Sequence, residues 1–193
     1  GYRLIGHQKI NGDWTYFNDS GAQLKESFDP EGRYYDKNGL RTDLGTNHYV
    51  QLHNKWYYIG NDGKILKGPQ TIDGVKVYFS NYDGIQVKGD FASDEHYYDK
   101  DSGALVTNRF VHSMYDFFVD ENGNRVTGQK NIGGAWYYFS PAQIKDEFGP
   151  DGYYYDKEGK RTDLGTNRYY QLHTHWYYIG KDGKILKGPQ TID

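Results

Sequence analysis

The segment from Tyr34 to Asp73 returns almost unchanged from Tyr154 to Asp193, an offset of 120 residues in a chain of 193. Self-similarity at a fixed spacing constrains the fold more than composition does, because each repeat must bury its apolar face against its neighbours rather than in one shared centre. A shorter period runs inside the long one. Nine aromatic tetrads stand about 20 residues apart on average, among them Trp14-Thr15-Tyr16-Phe17, Arg33-Tyr34-Tyr35-Asp36, Trp56-Tyr57-Tyr58-Ile59, Lys76-Val77-Tyr78-Phe79 and Trp136-Tyr137-Tyr138-Phe139. Most lead into turn chemistry such as Asn61-Asp62-Gly63 or Glu121-Asn122-Gly123, where Asp-Gly and Asn-Gly support the positive φ of tight hairpin turns. A short second strand follows, as in Lys64-Ile65-Leu66-Lys67-Gly68. No window carries the apolar spacing of a helix. The pattern predicts an all-β chain in which residues 1–193 form one array of about nine tandem stacked β-hairpins, elongated and β-solenoid-like. The second long copy stops at Asp193 where the first continues into Gly74-Val75-Lys76, so the array reads as a fragment of a longer one.

Side chains alternate along a strand, so tetrad positions two and four share one face and positions one and three the other. Pairs such as Val77 with Phe79 and Tyr137 with Phe139 suit an interior, whereas Trp14 with Tyr16, Lys76 with Tyr78 and Trp136 with Tyr138 give a mixed polar and aromatic face. Asp36, Asp99 and Asp156 fall at position four and break the scheme; they are expected to cap their turns.

Leu, Ile, Val and Phe make up only about 20% of the chain, too few for an ordinary aliphatic core. Aromatic residues are 18% and net charge is −3, which excludes disorder and leaves tyrosine to supply buried surface. The same weak charge gives no footprint for nucleic acid or an anionic membrane. No apolar run reaches membrane-spanning length, and Gly1-Tyr2-Arg3 is neither an initiator Met nor the start of a signal peptide, so the chain reads as an excised piece. With no cysteine there is no disulfide or thiolate metal site. His173-Thr174-His175 has metal-compatible spacing, but the other copy reads His53-Asn54-Lys55, so ordinary strand residues are expected; no metal and no cofactor are expected anywhere. There is no nucleophile elbow, zinc-protease motif or phosphate loop, and the acidic residues recur in turns, so no catalytic residue is assigned.

The tetrads, joined to Gly-x-Gln-x-Ile-x-Gly as in Gly68-Pro69-Gln70-Thr71-Ile72-Asp73-Gly74, resemble the cell-wall-binding and glucan-binding repeats of Gram-positive surface proteins, most nearly the glucan-binding domain of secreted glucansucrases. That resemblance covers nearly the whole chain. It implies stacked hairpins, a secreted or cell-wall-associated location, an attached catalytic domain in the full-length protein and binding of α-glucans such as dextran. It also implies pockets that combine a stacking Tyr with a Gln: Gln8 with Tyr16, Gln70 with Tyr78 and Gln129 with Tyr138, with Lys88 as an addition and Trp14 and Trp136 as further platforms. Gln190, three residues from the end, is expected to lack a complete pocket. The chemistry agrees, because a glucose ring offers apolar C–H faces to a flat aromatic and hydroxyls to amides or carboxylates. Two other readings stand beside it: a choline-binding cell-wall module, in which aromatic cages hold quaternary ammonium, and a structural spacer. The choline repeats of this family generally place a Trp after the Gly that ends the second strand, whereas here Gly68, Gly89 and Gly128 precede Pro69, Asp90 and Gln129.

Overall fold

The computed structural model describes residues 3–189 and 191, so the expectation for Gln190 lies outside the described residues. Among the described residues every regular element is a β-strand, and the strands pair in sequence as nine antiparallel hairpins. The chain divides into two compact units, residues 1–105 and 106–193. The first pairs β1 (Gly6–Ile10) with β2 (Asp13–Phe17), β3 (Ser27–Phe28) with β4 (Tyr34–Tyr35), β5 (His48–Leu52) with β6 (Lys55–Ile59), β7 (Gly68–Ile72) with β8 (Val75–Phe79), and β9 (Asp90–Phe91) with β10 (Tyr97–Tyr98). The second pairs β11 (Arg109–His112) with β12 (Asp116–Val119), β13 (Gly128–Ile132) with β14 (Ala135–Phe139), β15 (Glu147–Phe148) with β16 (Tyr154–Tyr155), and β17 (Arg168–Leu172) with β18 (His175–Ile179). The turn between β7 and β8 shows why Asp-Gly recurs: Asp73 and Gly74 both hold positive φ, 50° and 80°, the twist that keeps a two-residue hairpin closed.

After each hairpin the chain turns back and touches its last strand at one bridge, for example Ile59 with Ile65 and Tyr155 with Arg161. The returning segment also reaches the hairpin before. Arg41 N–H donates to the Trp14 carbonyl at 2.8 Å, Ile65 N–H to Gly32 at 3.0 Å, Gln86 N–H to Trp56 at 2.8 Å and Arg161 N–H to Trp136 at 2.7 Å. These bonds, repeated hairpin after hairpin, propagate the stack within each unit and give it its solenoid-like character.

The interior forms as the alternation requires. Val77, Phe117 and Tyr137 are buried, and the bridge residues Ile59, Phe79, Val119, Phe139 and Ile179 are sealed. Burying one such side chain stabilises by about 1.5–3 kcal/mol. The short hairpins correct the tetrad register by one residue: Tyr35, Tyr98 and Tyr155, not the aspartates after them, occupy the bridge position. Asp36 and Asp156 follow the strand and do cap turns. Asp36 Oδ1 accepts the N–H groups of Asn38 and Leu40 at 2.8 and 3.0 Å, and Asp156 Oδ1 those of Glu158 and Lys160 at 3.0 and 2.8 Å.

Candidate functional site

Within residues 106–193, Trp136 on β14 is 39% exposed and borders a cleft of about 690 Å³ that is also lined by Tyr153, Lys160, Arg161, Thr162 and Asp163. Backbone bonds on both edges set its floor: Arg161 N–H donates to Trp136 and Thr162 N–H to the Tyr154 carbonyl at 3.0 Å, so the Arg161-Thr162 segment lies between two hairpins. Arg161 Cζ rests 5.6 Å from the Trp136 ring and 4.5 Å from the Tyr153 ring. Such cation–π contacts contribute about 0.5–2 kcal/mol.

Residues 1–105 contain the counterpart. Trp14 is 39% exposed, Arg41 Cζ lies 5.5 Å from its ring, and Arg33, Arg41, Thr42, Asp43 and Asp62 line a cleft of about 510 Å³. A third tryptophan, Trp56, carries Lys88 Nζ at 5.8 Å, while the same ammonium donates to the Asp101 carbonyl at 2.9 Å. Each of these rings is thus partly open and partly covered by a cation from the next returning segment.

The Gln–Tyr pockets fare differently. Residues directly opposite in an antiparallel pair share a face. Gln8 stands opposite Thr15 and Gln70 opposite Val77, so neither glutamine shares a face with Tyr16 or Tyr78. Their amides bridge the bend at the preceding glycine instead: Gln8 Nε2 donates to the Ile5 carbonyl and Gln70 Nε2 to the Lys67 carbonyl, both at 2.8 Å. Gln129 comes one residue earlier in its strand, directly opposite Tyr138, and this pair does share a face. Gln129 Nε2 donates to Asp151 Oδ2 at 3.2 Å. Tyr78 is only 2% exposed, its hydroxyl 2.6 Å from Ser93 Oγ and its ring 5.7 Å from that of Tyr98, so its face is closed to a ligand. Tyr16 and Tyr138 are half-buried against Tyr35 and Tyr155, each at 6.1 Å.

Those partner tyrosines, with Tyr98, each close a latch on an aspartate of their own hairpin. Tyr35 donates to Asp29 Oδ2 at 3.2 Å, Tyr98 to Asp94 Oδ2 at 2.8 Å and Tyr155 to Asp151 Oδ2 at 2.7 Å. Burial first, and the neighbouring carboxylate second, push the Tyr35 phenol up to about 12 and raise Tyr98 and Tyr155 as well. In the first latch His7 Nδ1 lies 3.0 Å from the Tyr35 hydroxyl. His173 belongs to a turn, with φ 53° and Asp146 Oδ2 3.7 Å from its Nε2, rather than to a strand; among the described residues no three metal-ligating side chains converge.

The arginines and Tyr153 were missed by sequence reasoning, although a signal existed: Arg41-Thr42-Asp43-Leu44-Gly45-Thr46-Asn47 recurs without change as 161–167.

Stacked β-hairpins, four of which carry an exposed tryptophan (Trp14, Trp56, Trp136 and Trp176), define a tandem-repeat module. The choline-binding repeat family matches residues 66–110. The chain is 33% identical over 210 residues to Glucosyltransferase-I of Streptococcus downei, a match spanning 100% of this chain and 13% of that protein. It is 39% identical over 171 residues to Glucosyltransferase-I of Streptococcus mutans serotype c, spanning 81% of this chain and 12% of that protein. The fold is shared with the modular autolysin LytC of Streptococcus pneumoniae (TM-score 0.54, 18% identity, 94% of this chain and 42% of that one) and with the choline-binding domain of CbpL from the same species (TM-score 0.52, 21% identity, 97% and 100%). The chain is therefore homologous to a small part, about an eighth, of the glucosyltransferases it matches, and carries a choline-binding repeat at residues 66–110.

Proposed function

We propose that the chain is a non-catalytic module that holds α-glucan chains of the dextran type, outside the cell, as an accessory part of a larger glucosyltransferase-like protein with its own catalytic domain. The observation that carries this reading is the open tryptophan edge beside a polar rim at Trp136 with Arg161, Thr162 and Asp163, and its first-copy counterpart at Trp14, whose ring carries Arg41 from the polar cleft of Thr42 and Asp43. A glucose ring stacks its C–H face on the indole and meets donors and acceptors along its edge. Of the Gln–Tyr pockets, Gln129 with Tyr138 is retained as an accessory contact. Homology to glucosyltransferases supports the choice of glucan. Sites repeated along the chain suit a repeating polymer, whose simultaneous contacts raise avidity by roughly 10²-fold or more.

Choline is the second reading, favoured by the family match at 66–110. Against it stand Arg41, Lys88 and Arg161, which already place a cation on the tryptophan faces that a quaternary ammonium would need. Affinity electrophoresis in dextran, run beside a choline titration of melting temperature, tests the two. Dextran retention of the native chain, lost when Trp14 and Trp136 are both changed to Ala, is the expected result. No retention, together with a rise in melting temperature on adding choline, overturns it.

A further inference from the structure

The cleft beside Trp136 differs from its first-copy counterpart in what it offers a charged ligand. Lys160 stands where the first copy has Leu40, Lys181 where it has Asn61, and Tyr153 where it has Arg33. All three line the cleft together with Arg161. Lys184 Nζ adds a fourth cation, 5.1 Å from the Tyr153 ring. Among the described residues, the side chains of Lys160, Arg161, Lys181 and Lys184 make no hydrogen bond and no ion pair within 4.0 Å.

Their acidic neighbours Asp156, Asp163 and Asp182 line the same cleft and keep their charge, but each directs Oδ1 to turn N–H groups and none pairs with these cations. Asp156 accepts two turn N–H groups through Oδ1 and the Thr162 hydroxyl through Oδ2 at 3.1 Å. Asp163 Oδ1 accepts Gly165 N–H at 2.8 Å, and Asp182 Oδ1 accepts Lys184 N–H at 3.2 Å. A guanidinium flanked by two rings is held in place while its N–H fork stays available, and that fork matches a carboxylate or phosphate in a bidentate fashion. The first-copy cleft lacks this arrangement: Arg33 replaces the second ring and is spent on Glu31, and both lysines are absent.

We propose that the Trp136 cleft binds an oxyanion, carboxylate or phosphate, borne on a polysaccharide, with Arg161 as the fork and Lys160, Lys181 and Lys184 as flanking charges. The polysaccharide carrier rests on the carbohydrate reading above; the anion rests on the unpaired cations. Affinity electrophoresis of the full chain in polygalacturonate, in a phosphomannan and in neutral dextran tests it. Retention by at least one of the two polyanions is expected at low salt and should vanish near 0.5 M salt, roughly, as screening shortens the reach of surface charge. Which polyanion is retained identifies the oxyanion. The K160L/K181N variant, which restores residues the first copy already accommodates, should lose about tenfold of that retention with an unchanged melting temperature, and R161Q should lose as much. If R161Q fails to fold, K160L/K181N decides. No polyanion retention at low salt, or undiminished retention in K160L/K181N, overturns the proposal. Dextran retained without either polyanion sinks this proposal alone, whereas a polyanion retained without dextran sinks the dextran assignment alone.

Discussion

The hairpin β13–β14 and the hairpin β15–β16 that follows it are built from the same kind of tetrad and end as opposites. In the first, five-residue strands carry Trp136 out to the rim of a cleft. In the second, two-residue strands offer no ring at position one, which is Gly152; Tyr153 beside it serves the cleft of the preceding hairpin, and the dominant buried side chain is Tyr155, sealed and hydrogen-bonded to Asp151. The first copy repeats the contrast, with Trp14 on β2 against Gly32 and the Tyr35–Asp29 latch. Gly32 shows why a short hairpin does not display a ring at position one. Its φ is +87°, and a Cβ there would come within 3.1 Å of Ile65 Cγ1 and 3.2 Å of Ile65 N, so a side chain at this place is strained and would have to push the returning segment aside by a few tenths of an ångström. Long hairpins therefore display and short hairpins clamp. Glu95 occupies the equivalent place with φ 67°, a conformation that costs a non-glycine residue about 1 kcal/mol.

If that division holds, the clamp is where the chain breaks most easily. Tyr155→Ala should cost about 3–5 kcal/mol by leaving a large cavity, and Tyr155→Phe about 1 kcal/mol by removing the shortest of the hydrogen bonds to Asp151, which keeps those from Gln129 and the Tyr153 N–H. Thermal denaturation checks both. Tyr78→Ala belongs with them despite its place on a long hairpin, because Tyr78 is buried against Tyr98; a melting temperature close to that of the native chain would show that burial does not decide its role.

The display side should respond in the opposite way. Trp136→Ala is expected to lower dextran retention by about tenfold while costing only about 1 kcal/mol of stability, since its ring is already partly in water. A variant that unfolds, or that keeps full retention, would erase the distinction between the two hairpin types.

Much of this contrast was legible in the sequence, and its limits have physical causes. Hairpins, turns and the buried partners Val77 and Phe79 follow from period-two alternation, a property of one strand. The Gln70–Tyr78 pocket failed because sharing a face depends on the register between two strands, and that register sets Gln70 opposite Val77. The misplaced aspartates had the same origin, a one-residue slip in hairpins whose strands are only two residues long. Arg41 on Trp14 was out of reach for another reason: the two residues meet only because a returning segment reaches the preceding hairpin.

The latches also set an alkaline limit. The Tyr35 phenol, pushed from an ordinary value near 10 up to about 12, favours the protonated form in the folded state. Its contribution to stability is complete below pH 10 and is lost as pH rises through about 12. Absorbance at 295 nm should reveal a late-ionising class of tyrosines whose titration coincides with loss of the β-sheet dichroism. A single tyrosine transition near 10 with the fold intact would mean that the latches are open.

The smallest expected effect lies at the acidic end. Asp116 on β12 is held below the usual carboxylate range first by Lys145, 2.5 Å away, then by His112 at 2.8 Å. Because the folded value is depressed, the stabilisation is present above the ordinary carboxylate value and disappears as pH falls through the folded one. Both partners are more than a third exposed, so solvent and salt screen the pair and the effect should be slight. The bond still matters to the comparison, since Lys145 lies on the segment returning from β14 and ties one long hairpin to another without a latch between them. Lys145→Met should flatten the acid limb of the stability curve between roughly pH 5 and 2 while leaving neutral-pH stability within about 0.5 kcal/mol. An acid limb as steep as that of the native chain would show that the tie between Asp116 and Lys145 does not set the acid sensitivity.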